Sequence, residues 1–200
     1  MLLSITEWDH SILQSMMQIQ KDFWNAFFMT ITHLGDKGLF WIILSIILMF
    51  PKKTRRTGIC MAFALIGSVL VNNVILKHLI ARERPFNTFD DIVCLIKDAK
   101  TTVTDFSFPS GHTGASFCAA VCIFIREKKR FGIPAMVLAA LIAFSRIYIC
   151  VHYPTDVFAG LIDGLLIGII VCLIDKKVNF QEKFENLFGK IFGKKKKDSK

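Results

Sequence analysis

Several common signals are missing from this 200-residue chain. Its six cysteines (60, 94, 118, 122, 150 and 172) form no Cys-x-x-Cys pair, and all but Cys94 fall in apolar runs. That pattern removes a disulfide framework and a cysteine-ligated zinc site, and leaves cysteine as a small hydrophobe. No compact Asp/Glu/His cluster has metal-ligand spacing, since Asp90 and Asp91 form an isolated acidic pair in a loop. The opening "MLLSITEWDHSILQSMMQIQKDF" lacks the basic start and continuous apolar stretch of a signal peptide. Acidic residues are few, 16 against 25 Lys and Arg. No aromatic-bearing or groove-reading module accompanies the basic excess, so nucleic acid is not the expected partner.

What is abundant is hydrophobic length. Apolar residues make up 53% of the chain, and the mean hydropathy is +0.49. They come in runs at 57–80, 132–151 and 157–174, each near the ~20 residues that cross a hydrocarbon core of about 30 Å. Shorter runs occur at 23–34, 38–50 and 115–125. The competing reading, a soluble all-α protein with buried core helices, does not suit such runs. The expected fold is an all-α membrane bundle of six spans over 20–175. An amphipathic interfacial helix at 1–20 precedes it and a basic tail at 176–200 follows.

Charge orients this bundle. The segments "PKKTRR" (51–56) and "REKKR" (126–130), and a tail with nine lysines against three acids, alternate with loops at 35–38, 81–111 and 152–155. By the positive-inside rule the first set faces the cytoplasm. Six spans then place both termini in the cytoplasm and the other loops outside the cell membrane. The lysine tail is expected to be solvated or to lie against anionic lipid.

Three polar clusters collect at the outward ends. In "KHLIARERPF", Lys77 and Arg84 are two helical turns apart and so share a face, where the helix C-terminus favours cations. In "PSGH", Pro109 to Gly111 turn into a helix whose free N–H groups make an anion site, with the Ser110 hydroxyl and His112 beside it. In "SRIYICVHYPTD", Pro154 suits a first helical position, and Asp156 behind it can reach His152 and fix its tautomer. Arg146 adds a planar donor fork for phosphate oxygens. Each cluster alone is weak: a snorkelling belt, a capped helix start, a lone His-x-x-x-Asp. Together they assemble cations, neutral donors and two imidazoles, which fits phosphoryl transfer without metal or other cofactor.

Lys77-x6-Arg84-Pro85, Pro109-Ser110-Gly111-His112 and Ser145-Arg146-x5-His152-x3-Asp156 resemble the three-part signature of the type 2 phosphatidic acid phosphatase superfamily. The resemblance implies that His152 attacks phosphorus, that Asp156 orients it, and that His112 protonates the leaving oxygen and later activates water. It also implies that Lys77, Arg84, Ser110, Gly111 and Arg146 hold the phosphate, and that the substrate is a membrane lipid phosphate. Undecaprenyl diphosphate is the first expectation, ahead of phosphatidylglycerol phosphate and phosphatidate. A phosphotransferase would share the phosphohistidine, a lipid transporter would need neither histidine, and vanadium haloperoxidases are soluble relatives. Glu83 is expected to pair with neighbouring arginines, or to help with a second phosphate. Asp163 falls inside the last span, where an ionisable residue is a functional candidate by default. Asn72 and Asn73 are expected to bond between helices, and Gly160, Gly164 and Gly168 to let helices approach closely. Oligomeric state is not legible.

Overall fold

A computed structural model describes residues 2–192, with side chains described from 5 to 186. The lysines at 194–197 lie outside the described residues. Among those described, the chain is helical with no strand. The longer helices are α1 (Leu2–Ile19), α2 (Asp22–Leu34), α3 (Leu39–Met49), α4 (Arg55–Ser68), α5 (Gly111–Arg126), α6 (Lys129–Tyr148), α7 (Pro154–Val178) and α8 (Phe180–Phe192). The α4 rod continues through a π-helical stretch, Val69–Leu76, and one more α-turn, Lys77–Ile80. It stops at Ala81, which takes a left-handed φ of 47°.

The outer surface of these rods is apolar: Ile46, Ile47, Ile66, Val74, Leu166 and Ile170 are all exposed. A water-soluble fold would turn such residues inward. Four stretches are long and apolar enough to cross a membrane: Asp22–Met49, Arg55–Thr88, Lys129–Tyr148 and Pro154–Val178, with α5 shorter but apolar.

Close backbone contact sets the centre of the bundle. A Cβ on Gly160, Gly164 or Gly168 of α7 would lie 2.6–2.7 Å from the carbonyls of Ser110, Gly114 and Cys118 on the α5 side. The glycine stripe therefore packs α7 onto α5 inside the bundle. Trp41 Nε1 donates to Ser116 Oγ at 3.0 Å, and Ser45 Oγ donates to the Gly58 carbonyl at 2.8 Å, tying α3 to α5 and α4. At one end the fully buried Asp175 accepts from Arg126, from Arg56 Nε at 2.6 Å and from the Phe180 amide at 2.9 Å. Arg55 pairs with Glu185 of α8 at 2.7 Å there. The basic segments 51–56 and 126–130 thus meet the chain's C-terminal part at one end, as their charge pattern suggests.

The expected first two spans do not form two separate crossings. Gln20 and Asn25 bond Tyr148, at the end of α6 beside the loops, and Thr32 bonds Arg146 barely half a turn further down the same helix. A 13-residue helix is only about 20 Å long, and α2 spends that length alongside the loop end of α6. Helix α1 lies at the same end: His10 and Gln14 bond Asp91, and Asp9 bonds Thr155. The two ends of the described chain therefore sit at opposite ends of the bundle, not together as six crossings require. A run of apolar residues does not reveal whether it crosses the slab or bends along one face.

Candidate active site

Pro154 opens α7, and the Asp156 carboxylate turns back to accept the Tyr153 amide at 3.0 Å. This is the cap expected of an acid in a first helical turn. The same turn carries His152, which is buried. Its Nδ1 lies 3.3 Å from Ser107 Oγ, and that hydroxyl donates to Asp156 Oδ2 at 2.5 Å. The direct Nδ1–carboxylate separation is 3.6 Å, too long for a hydrogen bond. Histidine and aspartate are thus joined through the Ser107 hydroxyl. Because Ser107 gives its proton to Asp156, it accepts one from Nδ1, which assigns the proton to Nδ1 and leaves Nε2 as the unprotonated, accepting nitrogen. Nε2 faces Arg84 Nη1 at 3.4 Å. Burial, then the charges of Arg84, Arg146 and Lys77, push His152 well below its ordinary value, so it stays neutral.

The cations converge from two rods and a loop. Lys77 ends the α4 rod, Arg84 follows the turn after it, and Arg146 sits in the last turn of α6, all three buried. Arg146 Nη1 donates to Thr32 Oγ1 at 2.6 Å, while its buried Nε has no hydrogen-bond partner among the described residues. Arg84 Nη1 donates to the Val151 carbonyl at 2.8 Å, which fixes its plane. Lys77 and Arg84 share the Asp105 carboxylate; the Arg84 Nη2 bond to it is 2.6 Å, and Arg84 Nε donates to the Asp105 carbonyl at 2.9 Å. Burial alone would raise Asp105, but the charge of Arg84 and the bond from Lys77 hold it at about 2.

Opposite these lies the start of α5. Gly111, His112 and Thr113 present the unpaired N–H groups of a first helical turn, and Asn73 of the π-helical stretch abuts Gly111. His112 Nε2 lies 2.9 Å from Asp36 Oδ1, and the other oxygen of Asp36 lies 2.8 Å from His33 Nδ1. His112 thus shares Asp36 with His33, whereas His152 reaches Asp156 through Ser107.

Lys77, Arg84, Gly111, His112, Arg146 and His152 all line one cavity of about 690 Å³. Ser110 and Asp156 are fully buried behind its wall: Ser110 Oγ accepts from Thr113 at 3.0 Å, and its amide donates to the Asp156 carbonyl at 3.1 Å. The cavity continues past Asn73 and Asn72 to Ser68, nine residues from Lys77 along the α4 rod. Asp163 lies beside this deeper part, clustered with Asn72 and Ser68 around Gly114. Glu83 is exposed, and Arg82 and Arg84 take Asp9, Asp156 and Asp105 as carboxylate partners instead. Among the described residues, no three His, Cys, Asp or Glu side chains gather in a metal-holding arrangement.

Asp9, Arg82, Asp105, Ser107 and Asp36 are absent from the sequence-derived site. Asp105 and Ser107 stand four and two positions before Pro109, so proximity was the available signal. The Asp9–Arg82 pair is separated by 73 residues and carries no local signal.

The model of the PAP2 superfamily matches residues 57–180. An undecaprenyl-diphosphatase of Sulfolobus acidocaldarius is 32% identical over 120 residues, covering 60% of this chain and 56% of that protein. Phosphatidylglycerophosphatase B of Bacillus subtilis is 31% identical over 165 residues, covering 76% and 75%. The crystal structure of a transmembrane PAP2-type phosphatidylglycerolphosphate phosphatase from Bacillus subtilis superposes with a TM-score of 0.72 at 31% identity, over 88% of each chain. That of Aquifex aeolicus LpxE gives 0.68 at 25% identity, over 81% of this chain and 93% of the other. The signature residues, their convergence on one cavity and these matches agree: the chain belongs to the PAP2 superfamily.

Proposed function

We propose that the protein is a membrane lipid phosphatase that hydrolyses a lipid phosphate or diphosphate at the extracytoplasmic surface through a phosphohistidine. The observation that carries this reading is one cavity that gathers Lys77, Arg84, Arg146, His112 and His152 in its lining and continues along the α4 rod to Ser68. A soluble phosphate ester needs only the charged end; an amphiphile uses both. The Lys- and Arg-rich segments 51–56 and 126–130 lie at the opposite end of the bundle, and the positive-inside rule then supports an outward-facing cavity. In this reading the described chain crosses five times, with α1 on the cavity side.

His152 Nε2 attacks phosphorus while Arg84, Lys77, Arg146 and the α5 amides take up charge on the equatorial oxygens. The P–O bond to the leaving group breaks as His112 protonates that oxygen. His112 then takes a proton from water, the oxygen of that water bonds phosphorus, and the P–N bond breaks. Nδ1–H, relayed through Ser107 to Asp156, stabilises the charge that develops on His152. No step needs a metal, since the cations hold the phosphate.

Undecaprenyl diphosphate is the preferred substrate in this reading, because the cavity runs well beyond one phosphate and a relative of that name matches. Phosphatidylglycerol phosphate follows from the relative named for it. The test is phosphate release by purified protein from undecaprenyl diphosphate, phosphatidylglycerol phosphate and phosphatidate side by side, with and without chelator and with and without an acceptor alcohol. Release from a lipid that survives chelation and is lost in His152→Ala is expected. Turnover unchanged in His152→Ala would overturn the phosphohistidine.

A further inference from the structure

We propose that Asp9 and Arg82 are positioning residues for this reaction, acting on His152 by clamping Asp156. The inference rests on the phosphatase reading for the step it serves. Its evidence is the bonding around one guanidinium. Arg82 Nη1 donates to Asp156 Oδ1 and to Thr155 Oγ1, both at 2.7 Å, and Nη2 donates to Asp9 Oδ2 at 2.7 Å. Thr155 closes the ring: its amide donates to Asp9 Oδ1 at 3.0 Å and its hydroxyl to Asp9 Oδ2 at 2.5 Å. The guanidinium lies 3.7 Å over the Tyr153 ring. Both carboxylates are completely buried.

Asp156 is thereby held at both oxygens. Oδ2 takes Ser107 and the Tyr153 amide, leaving Arg82 to hold Oδ1. A carboxylate gripped at one oxygen alone swings about its Cβ–Cγ bond, and the Ser107 bridge to Nδ1 swings with it. Arg82 prevents the swing, and Asp9 fixes Arg82. A second acid also shares the guanidinium's charge, so Asp156 is not fully neutralised and retains its pull on the imidazole proton. Lysine cannot reproduce this, since one ammonium lacks the planar fork that reaches two carboxylates. The clamp joins α1 to the α7 turn that bears the histidine, so helix α1 helps to build the site.

The test uses the full-length purified protein. Asp9→Asn is expected to lower kcat about tenfold and Arg82→Met about a hundredfold, with KM for the lipid and vanadate inhibition within about twofold of wild type, because the phosphate-binding cations are untouched. Arg82→Lys falls between. In an Asp156→Asn background, Asp9→Asn is expected to add less than twofold, since the residue it acts through has lost its charge. Histidine-selective 15N spectra, with His152 assigned by His152→Gln, give a readout independent of turnover. The Nδ1–H tautomer of the wild type is expected to become a mixture in Asp9→Asn and Arg82→Met. An unchanged tautomer, a full tenfold loss in the Asp156→Asn background, or vanadate binding lost in step with kcat would overturn the inference. A wild-type chain that releases no phosphate from any lipid counts against the phosphatase reading alone, and the spectra still decide the clamp.

Discussion

Asp105 lies across the two cations that the proposed phosphate would use, so it competes with substrate and product. The perturbation is Asp105→Asn, which keeps the shape and removes the charge. Lys77 and Arg84 each give Asp105 a charge-assisted bond, a class worth about 1.5–3 kcal/mol when buried. The Asp105 side chain is 54% exposed, so solvent screening reduces each to about 1 kcal/mol. The amide retains roughly half, because neutral bonds are about half as strong. The cations then gain about 1 kcal/mol for an incoming anion, so inhibition by orthophosphate and vanadate should tighten about fivefold. The assay is phosphate release from a lipid substrate over a series of vanadate concentrations, with Asp105→Glu as the charge-preserving control. The sign of the pH dependence follows from the lowered value of about 2. The carboxylate is charged above about pH 4, and its stabilising pair is lost only as pH falls through 2, so the effect of Asp105→Asn should be flat from pH 5 to 9. Equal or weaker vanadate inhibition in Asp105→Asn would refute the reasoning and show that the carboxylate only holds the cations in place.

Burial and three nearby cations keep His152 neutral well below its ordinary range. The acid limb of kcat/KM should therefore lie below pH 6.5, and Arg84→Gln should move it to higher pH because one fewer cation opposes the imidazolium; a limb unmoved by that change counts against His152 as the titrating group. A Cβ at Gly164 would lie 2.6 Å from the Gly114 carbonyl, whereas one at Gly67 meets only an Ile167 methyl at 3.1 Å. Gly164→Ala should cost about 1–3 kcal/mol and lower both Tm in detergent and phosphate release, with Gly67→Ala nearly silent; equal melting temperatures would contradict the packing. For the orientation, Lys97→Cys combined with Cys94→Ser should react with a membrane-impermeant maleimide in intact cells, since the other five cysteines are buried. Labelling only after permeabilisation would invert the topology.

Runs of apolar residues and the alternation of Lys and Arg sufficed to find the rods and to separate the two ends of the bundle. The signature residues were legible because each stands at a rod end with its own local reason: a helix C-terminus for Lys77 and Arg146, a helix start for His112 and Asp156. The arrangement of α1 and α2 was not legible, because residues 23–34 have the composition of a span and only the contacts of Asn25 and Thr32 with one end of α6 show otherwise. The second layer of the site was hidden for a related reason. Asp9, Arg82 and Asp105 read as solvated loop and surface charge, and what buries or pairs them is chain 21 to 146 residues away. The link from Asp156 to His152 was expected to be direct; helix geometry brings the two close, but a hydroxyl from a different loop completes the contact.

Where α7 meets α5, the glycine stripe leaves main chain touching main chain, with nothing compressible between. That wall of the cavity is stiff, and it carries Ser110, His112 and Asp156 together. The facing wall is built from side chains at the end of α2, on the turn after it and on the long loop before α5, among them His33, Lys37, Ile96 and Thr104. Lineages or engineers that seek a new headgroup are therefore confined to that side, and libraries aimed at altered selectivity belong at 33–38 and 96–104.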